Sequence, residues 1–167
     1  MNKNHARSQV AFLLSQVGGR SAQEFARLLS PLKLSPAEAG VLRIVRQNQG
    51  ISQQNLAKAL NTHASRLVVL IDALEGRELL TREVHPSDRR LYSLTLTTKG
   101  EQILDSIRDL AEEHNRIMCA GLSRAEIVQL ESLLLRIATQ QGLNSGVHPG
   151  YRDIGRSRTP SRSNGPE

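Results

Sequence analysis

Three consecutive charged residues, Asp88, Arg89 and Arg90, interrupt the segment TREVHPSDRRLYSLTLTTKG at positions 81 to 100. A guanidinium is a rigid fork of donors that suits phosphate oxygens and guanine edges, and it gains more where a narrow duplex groove concentrates negative potential. A carboxylate beside such cations works against polyanion binding unless it holds a neighbouring guanidinium in one direction, which reduces the entropy lost on binding. Pro86, Ser87 and Asp88 also have the composition of a type I turn, and the two roles are compatible. A second constellation lies upstream. Thr62, Ser65, Val69 and Asp72 fall on one face at helical spacing, flanked by Arg66 and opposite the apolar row Leu67, Leu70, Ile71 and Leu74. Thr62, Ser65 and Arg66 come early enough in that helix to reach base edges, and Asn61 or Thr62 can cap its start.

The elements that must position these side chains are legible from caps and periodicity. Tyr92, Leu94 and Leu96 alternate with Ser93, Thr95 and Thr97, the period of a half-buried strand, so a β-hairpin is expected over 81–97 with the arginines at its tip. Three Ser/Thr-x-x-Glu boxes, Ser35/Glu38, Thr98/Glu101 and Ser123/Glu126, stand before apolar-periodic runs, and Pro36 strengthens the first. Helices are expected over 6–30, 36–48, 53–60, 62–76, 99–119 and 124–141. A hairpin set directly after two short helices predicts a winged helix-turn-helix over 31–98, in a mainly α fold with a small β-wing.

The outer helices frame that unit. The first is expected to bury Val10, Leu13, Leu14, Val17, Phe25, Leu28 and Leu29, with a kink at Gly18 and Gly19, each of which costs about 1 kcal/mol relative to Ala in a helix interior. The last two carry stripes at Ile103, Leu104, Ile107 and Ala111, and at Ile127, Leu130, Leu134 and Ile137. Leu133 and Leu135 broaden the final stripe beyond one core contact, so 6–30 and 99–141 are read as a dimerisation region, the alternative being closure of a monomer core. From 142 to 167, Gly, Ser, Pro and Arg replace the periodic pattern and predict a disordered basic tail.

Composition agrees with a polyanion partner. The 167 residues hold 22 Lys and Arg against 16 Asp and Glu, a net charge of +6. Four scattered aromatic residues, Phe12, Phe25, Tyr92 and Tyr151, cannot form a stacking platform for single strands, which favours double-stranded DNA. The single cysteine, Cys119, excludes an intrachain disulfide and a multi-cysteine metal site, and its neighbours Ile117 and Met118 suggest packing. No signal peptide or membrane-length apolar run is present, so a cytoplasmic protein with no membrane partner is expected. The five histidines lie far apart, and no nucleophile–base context, phosphate-binding glycine loop or metal-ligand pair is visible, so neither enzymatic activity nor a cofactor or metal is expected.

The segment from Leu34 to Glu101 resembles the MarR (multiple antibiotic resistance regulator) family, through LSPAEAGVLRIV, ISQQNLAKAL, LVVLIDALE and above all HPSDRRLYSLTLTTKGE, in that order and spacing. The outer helices agree with that family's dimerisation helices, so the resemblance extends to about residue 141. It implies a homodimeric transcription regulator, usually a repressor, that binds a pseudo-palindromic operator and is often released by a phenolic or anionic effector. Asp88 and Arg90 match the family's D-x-R wing motif, with Arg90 as the minor-groove residue. Two positions depart from the pattern. Val69 stands where a basic residue is frequent and could instead meet a thymine methyl; Glu78 replaces the usual Gly before the strand. For an anionic effector, His5, Arg20 and Arg43 are the candidate cations, with surface or dimer-contact roles equally open. The competing functions are a winged-helix adaptor that binds another protein and a nucleoid-type DNA binder without effector or sequence preference.

Overall fold

The computed structural model describes residues 9–85 and 88–143, with backbone alone at positions 85 and 88–91. The element order is α1 (Val10–Leu29), a 3-10 turn (Ser30–Leu32), α2 (Pro36–Gln47), β1 (Ile51–Ser52), α3 (Gln53–Ala59), α4 (Ala64–Glu75), β2 (Leu80–His85), β3 (Asp88–Leu96), α5 (Thr98–Met118) and α6 (Arg124–Gln140).

Side-chain caps set most of the helix starts. Ser35 Oγ accepts from the Glu38 amide at 3.2 Å while Glu38 Oε2 accepts from the Ser35 amide at 2.7 Å, and Ser123 with Glu126 repeats this reciprocal arrangement. Ser52 Oγ caps α3 by accepting from the Asn55 amide. The start of α5 differs from expectation by one residue: Thr97, not Thr98, is the cap, because its hydroxyl both accepts from the Gly100 amide and donates to the Glu78 carbonyl, joining α5 to the end of the α4–β2 loop.

The core lies in the central unit. Val41, Leu42 and Val45 of α2, Leu56 of α3, Leu67, Ile71 and Leu74 of α4, Leu80 of β2 and Leu94 of β3 are all fully or almost fully shielded. The sheet is antiparallel in the order β1-β3-β2, with Ile51 opposite Leu94 and Ser52 opposite Ser93. The two-residue β1 was not foreseen, and Ser93, expected on the polar side, lies opposite its Ser52 and is buried. Tyr92, placed with the inward row, is half exposed because it lies further out along the wing than the core extends.

Gly100 permits the closest approach in this unit: a Cβ there would stand 1.9 Å from the Leu79 carbonyl oxygen. Glu78 has φ of +59°, the left-handed region where glycine is favoured. The departure noted at this position is therefore a side chain in a glycine-type conformation, with its carboxylate paired to Lys99.

The first helix corrects one expectation. It is helical through Gly18 and Gly19. Val10, Leu13, Leu14 and Val17 are exposed rather than buried, because only the C-terminal half of α1 meets α5 within the protomer, and there Leu29 is buried and Phe25 partly so. The buried charge in that half is Glu24, 4% exposed, whose carboxylate accepts from Arg27 Nε at 2.9 Å and Arg20 Nη2 at 3.1 Å. Helix α5 contributes Leu104 and Ile107 to the core, whereas α6 buries no residue. Gly142, at φ +63°, ends α6 where the periodic pattern stops; the expected tail lies outside the described residues beyond Leu143. No helix among the described residues is long and apolar enough to cross a membrane.

Candidate nucleic-acid interface

Helices α3 and α4 are joined by a turn whose geometry follows from Asn61. Its φ of +49° is tolerated by asparagine, and the Asn61 and Thr62 amides donate to the Lys58 and Ala57 carbonyls. This closes α3 in a Schellman arrangement. Asn61 and Thr62 therefore terminate α3 instead of capping α4, whose N-cap is His63 with no side-chain cap bond. Thr62 stands in the turn, not on the helix; it is half-buried, and its Oγ1 is shielded without a hydrogen-bond partner among the described residues.

On α4 itself the predicted division holds. Leu67, Ile71 and Leu74 face the core, while Ser65, Val69 and Asp72 are exposed on the opposite side, Val69 at 67%, and Arg66 beside them is half-buried. Gln54, Lys58 and His63 line a recess of about 450 Å³ between α3 and the start of α4. The uncapped first turn of a helix presents unpaired N–H groups and positive potential, so this corner favours an anion.

The wing follows directly. Strands β2 and β3 pair from Leu80–Leu96 to Val84–Tyr92, and then the register shifts to His85–Asp88. One step along β2 thus matches four along β3, so β3 begins with a bulge-like irregularity over Arg89, Arg90 and Leu91. The side chains of Asp88, Arg89 and Arg90, with Pro86 and Ser87, lie outside the described residues.

The wing and α4 are tied together by Arg82, which sequence reasoning did not single out. Its Nε donates to Glu75 Oε2 at 2.8 Å, and its Nη2 bonds Asp72 Oδ1. These bonds, that from Asp72 foremost, raise the arginine pKa further and keep it cationic. The signal for such a pair was an arginine in a strand near two carboxylates one helical turn apart, which a one-dimensional reading cannot bring together.

Arg20 is engaged by Glu24 and largely exposed, Arg43 is half-buried on α2, and His5 lies outside the described residues. A groove of about 730 Å³ between α5 and α6, lined by Asn115, Arg116, Cys119, Leu122, Ile127 and Leu130 among others, includes neither Arg20 nor Arg43. Cys119, half-buried at the end of α5, faces this groove.

A helix-turn-helix followed by a two-stranded wing, with a polar recognition face left open, defines the winged-helix class of DNA-binding proteins. The MarR family profile matches residues 34–92. A protein assigned to transcriptional regulation of the hcr operon in Thauera aromatica is 34% identical over 119 residues, covering 71% of this chain and 72% of the relative. The chain belongs to the MarR family, whose members are transcriptional regulators rather than enzymes. Among solved structures, the transcriptional repressor CouR bound to a 23-mer DNA duplex is 32% identical, with a TM-score of 0.71 over 83% of this chain and 98% of that one. BpsR of Bordetella bronchiseptica, whose DNA binding is regulated by 6-hydroxynicotinic acid, is 28% identical, with a TM-score of 0.67 over 78% and 99%.

Proposed function

We propose that this regulator is a homodimeric repressor that binds a pseudo-palindromic operator in the cytoplasm and is released by a small phenolic or anionic effector. The observation that carries the reading is the separation of two surfaces. One surface presents α4 and the wing, while Val10, Leu13, Leu14 and Val17 of α1 and the apolar residues of α6 form another that is left exposed. An exposed apolar surface of this extent marks a contact with a partner, and pairing it across a twofold axis gives two recognition helices that must span successive major grooves, about 34 Å apart. In this assignment α1, α5 and α6 form the dimerisation region and 31–98 the reading unit.

Ser65 and Arg66 read base edges, Val69 meets a thymine methyl, and Arg90 enters the minor groove, with Asp88 orienting it and Arg89 on flanking phosphate. Thr62, with its hydroxyl shielded in the turn, supports the start of the recognition helix. Effector control is supported by the resemblance to BpsR.

Mobility shift of the duplex upstream of the chain's own coding sequence tests the proposal. Retardation that survives competitor DNA, is abolished by Arg90→Ala with the oligomer intact, and is reversed by hydroxylated aromatic acids is expected. Binding equally tight to every duplex, or none, contradicts it.

A further inference from the structure

We infer that Arg82 is a positioning residue for DNA reading, clamping two successive turns of α4 to the wing and so fixing the angle between the recognition face and the hairpin. The inference rests on the DNA-binding reading above and assigns a role to a residue that touches no base in it. Arg82 is the third residue of β2, and its register partner is Leu94, which is fully buried, so its backbone is anchored in the sheet. Its guanidinium reaches Glu75 Oε2 from both Nε and Nη2, each at 2.8 Å, and Asp72 Oδ1 from Nη2.

Asp72 and Glu75 are three residues apart, one turn along the helix, so a single fork grips α4 at two heights and resists both rolling and sliding. The Arg82 side chain is 20% exposed while those of Asp72 and Glu75 are 56% and 41% exposed, so the geometry is held by one planar fork engaging two carboxylates rather than by burial. Asp72 lies on the same face as Ser65 and Val69, so the clamp sits at the edge of the surface that meets the duplex. It also offsets part of the negative charge of two carboxylates that would otherwise repel phosphate more strongly.

A lysine at position 82 keeps the charge but not the planar fork, which separates positioning from simple charge compensation. The test uses the full chain and the duplex it enriches from a random pool, compared with a scrambled duplex of equal composition. Arg82→Lys is expected to lower the ratio of selected to scrambled affinity about tenfold, the scale of one misread base pair, with the salt dependence unchanged. In the free protein it should speed amide exchange in α4 and β2 while α2 and α5 keep their protection. The double variant Asp72→Asn, Glu75→Gln should lose the same discrimination even though removal of two negative charges tightens binding to any duplex, and it leaves the strand untouched should the lysine variant fold poorly. An unchanged ratio in either variant overturns the inference while leaving DNA binding intact. A uniform loss on both duplexes with a shallower salt slope makes Arg82 a phosphate contact and overturns it as well. Failure of the unaltered chain to enrich any sequence contradicts the DNA-binding reading itself.

Discussion

At position 100 a single hydrogen separates the start of α5 from the Leu79 carbonyl, and no side chain can relieve that contact because both partners are backbone. Gly100→Ala is therefore expected to cost about 3 kcal/mol, at the upper end of overpacking, read as a lower urea midpoint with an unchanged slope. A loss under about 0.5 kcal/mol, the range of ordinary surface changes, would contradict the packing described. Neighbouring Glu78 shows how a departure from a family pattern acquires physical content: the missing glycine stood at a left-handed position, and the chain tolerates glutamate there while using its carbonyl to accept from Thr97. Among the proposed reading residues, Ser65, Arg66 and Val69 were recognisable because helical spacing alone places them opposite the apolar row. Thr62 was misplaced because the turn residue Asn61 belongs to the end of one helix and not to the start of the next, a distinction that needs the backbone angle. Arg82 was invisible for a different reason, since its partners lie seven and ten residues earlier, on another element.

The joint between α1 and α5 is the element contact with the clearest pH dependence. Glu24 is buried at that joint, and its pKa is lowered chiefly by the hydrogen bonds from Arg27, with Arg20 and His114 adding to the effect and burial opposing it. His114 on α5 closes the contact, its Nε2 lying 3.0 Å from the Ser21 carbonyl and its ring 5.3 Å from that of Phe25. A carboxylate with a depressed pKa contributes stability that is fully present above its ordinary value of 4.5 and is lost as pH falls through the depressed one. Thermal unfolding followed between pH 6 and pH 3 should show a steeper acid decline in the unaltered chain than in Glu24→Gln; parallel curves would remove the joint from the account. The elements themselves were largely legible. Two capping boxes, the two short helices and the hairpin were readable because local hydrogen bonding and periodicity set them. The third cap slipped by one residue because Thr97 and Thr98 are chemically alike and only the Glu78 carbonyl, distant in sequence, chooses between them. Strand β1 was missed because two residues carry no period, and its existence depends on pairing with β3.

For the molecule as a whole, amphipathicity identified apolar stripes but not what covers them. The stripe on α5 is half satisfied within the protomer through Leu104 and Ile107, whereas those on the first half of α1 and on α6 are left largely open, with no apolar residue buried. Periodicity reports that a face is apolar, and both destinations, an internal core and a second copy, bury it equally well. The proposed assembly resolves this by joining two winged units through α1, α5 and α6, with the acidic stretch 101–141, four basic against seven acidic residues, held away from phosphate. Sedimentation of the purified chain alone and with its operator duplex tests this most directly. A dimer in solution that binds as two chains per duplex, and that Leu134→Glu converts to a monomer with weakened DNA binding, is the predicted result. A monomer that binds the duplex singly with full affinity, and is indifferent to that substitution, would contradict it.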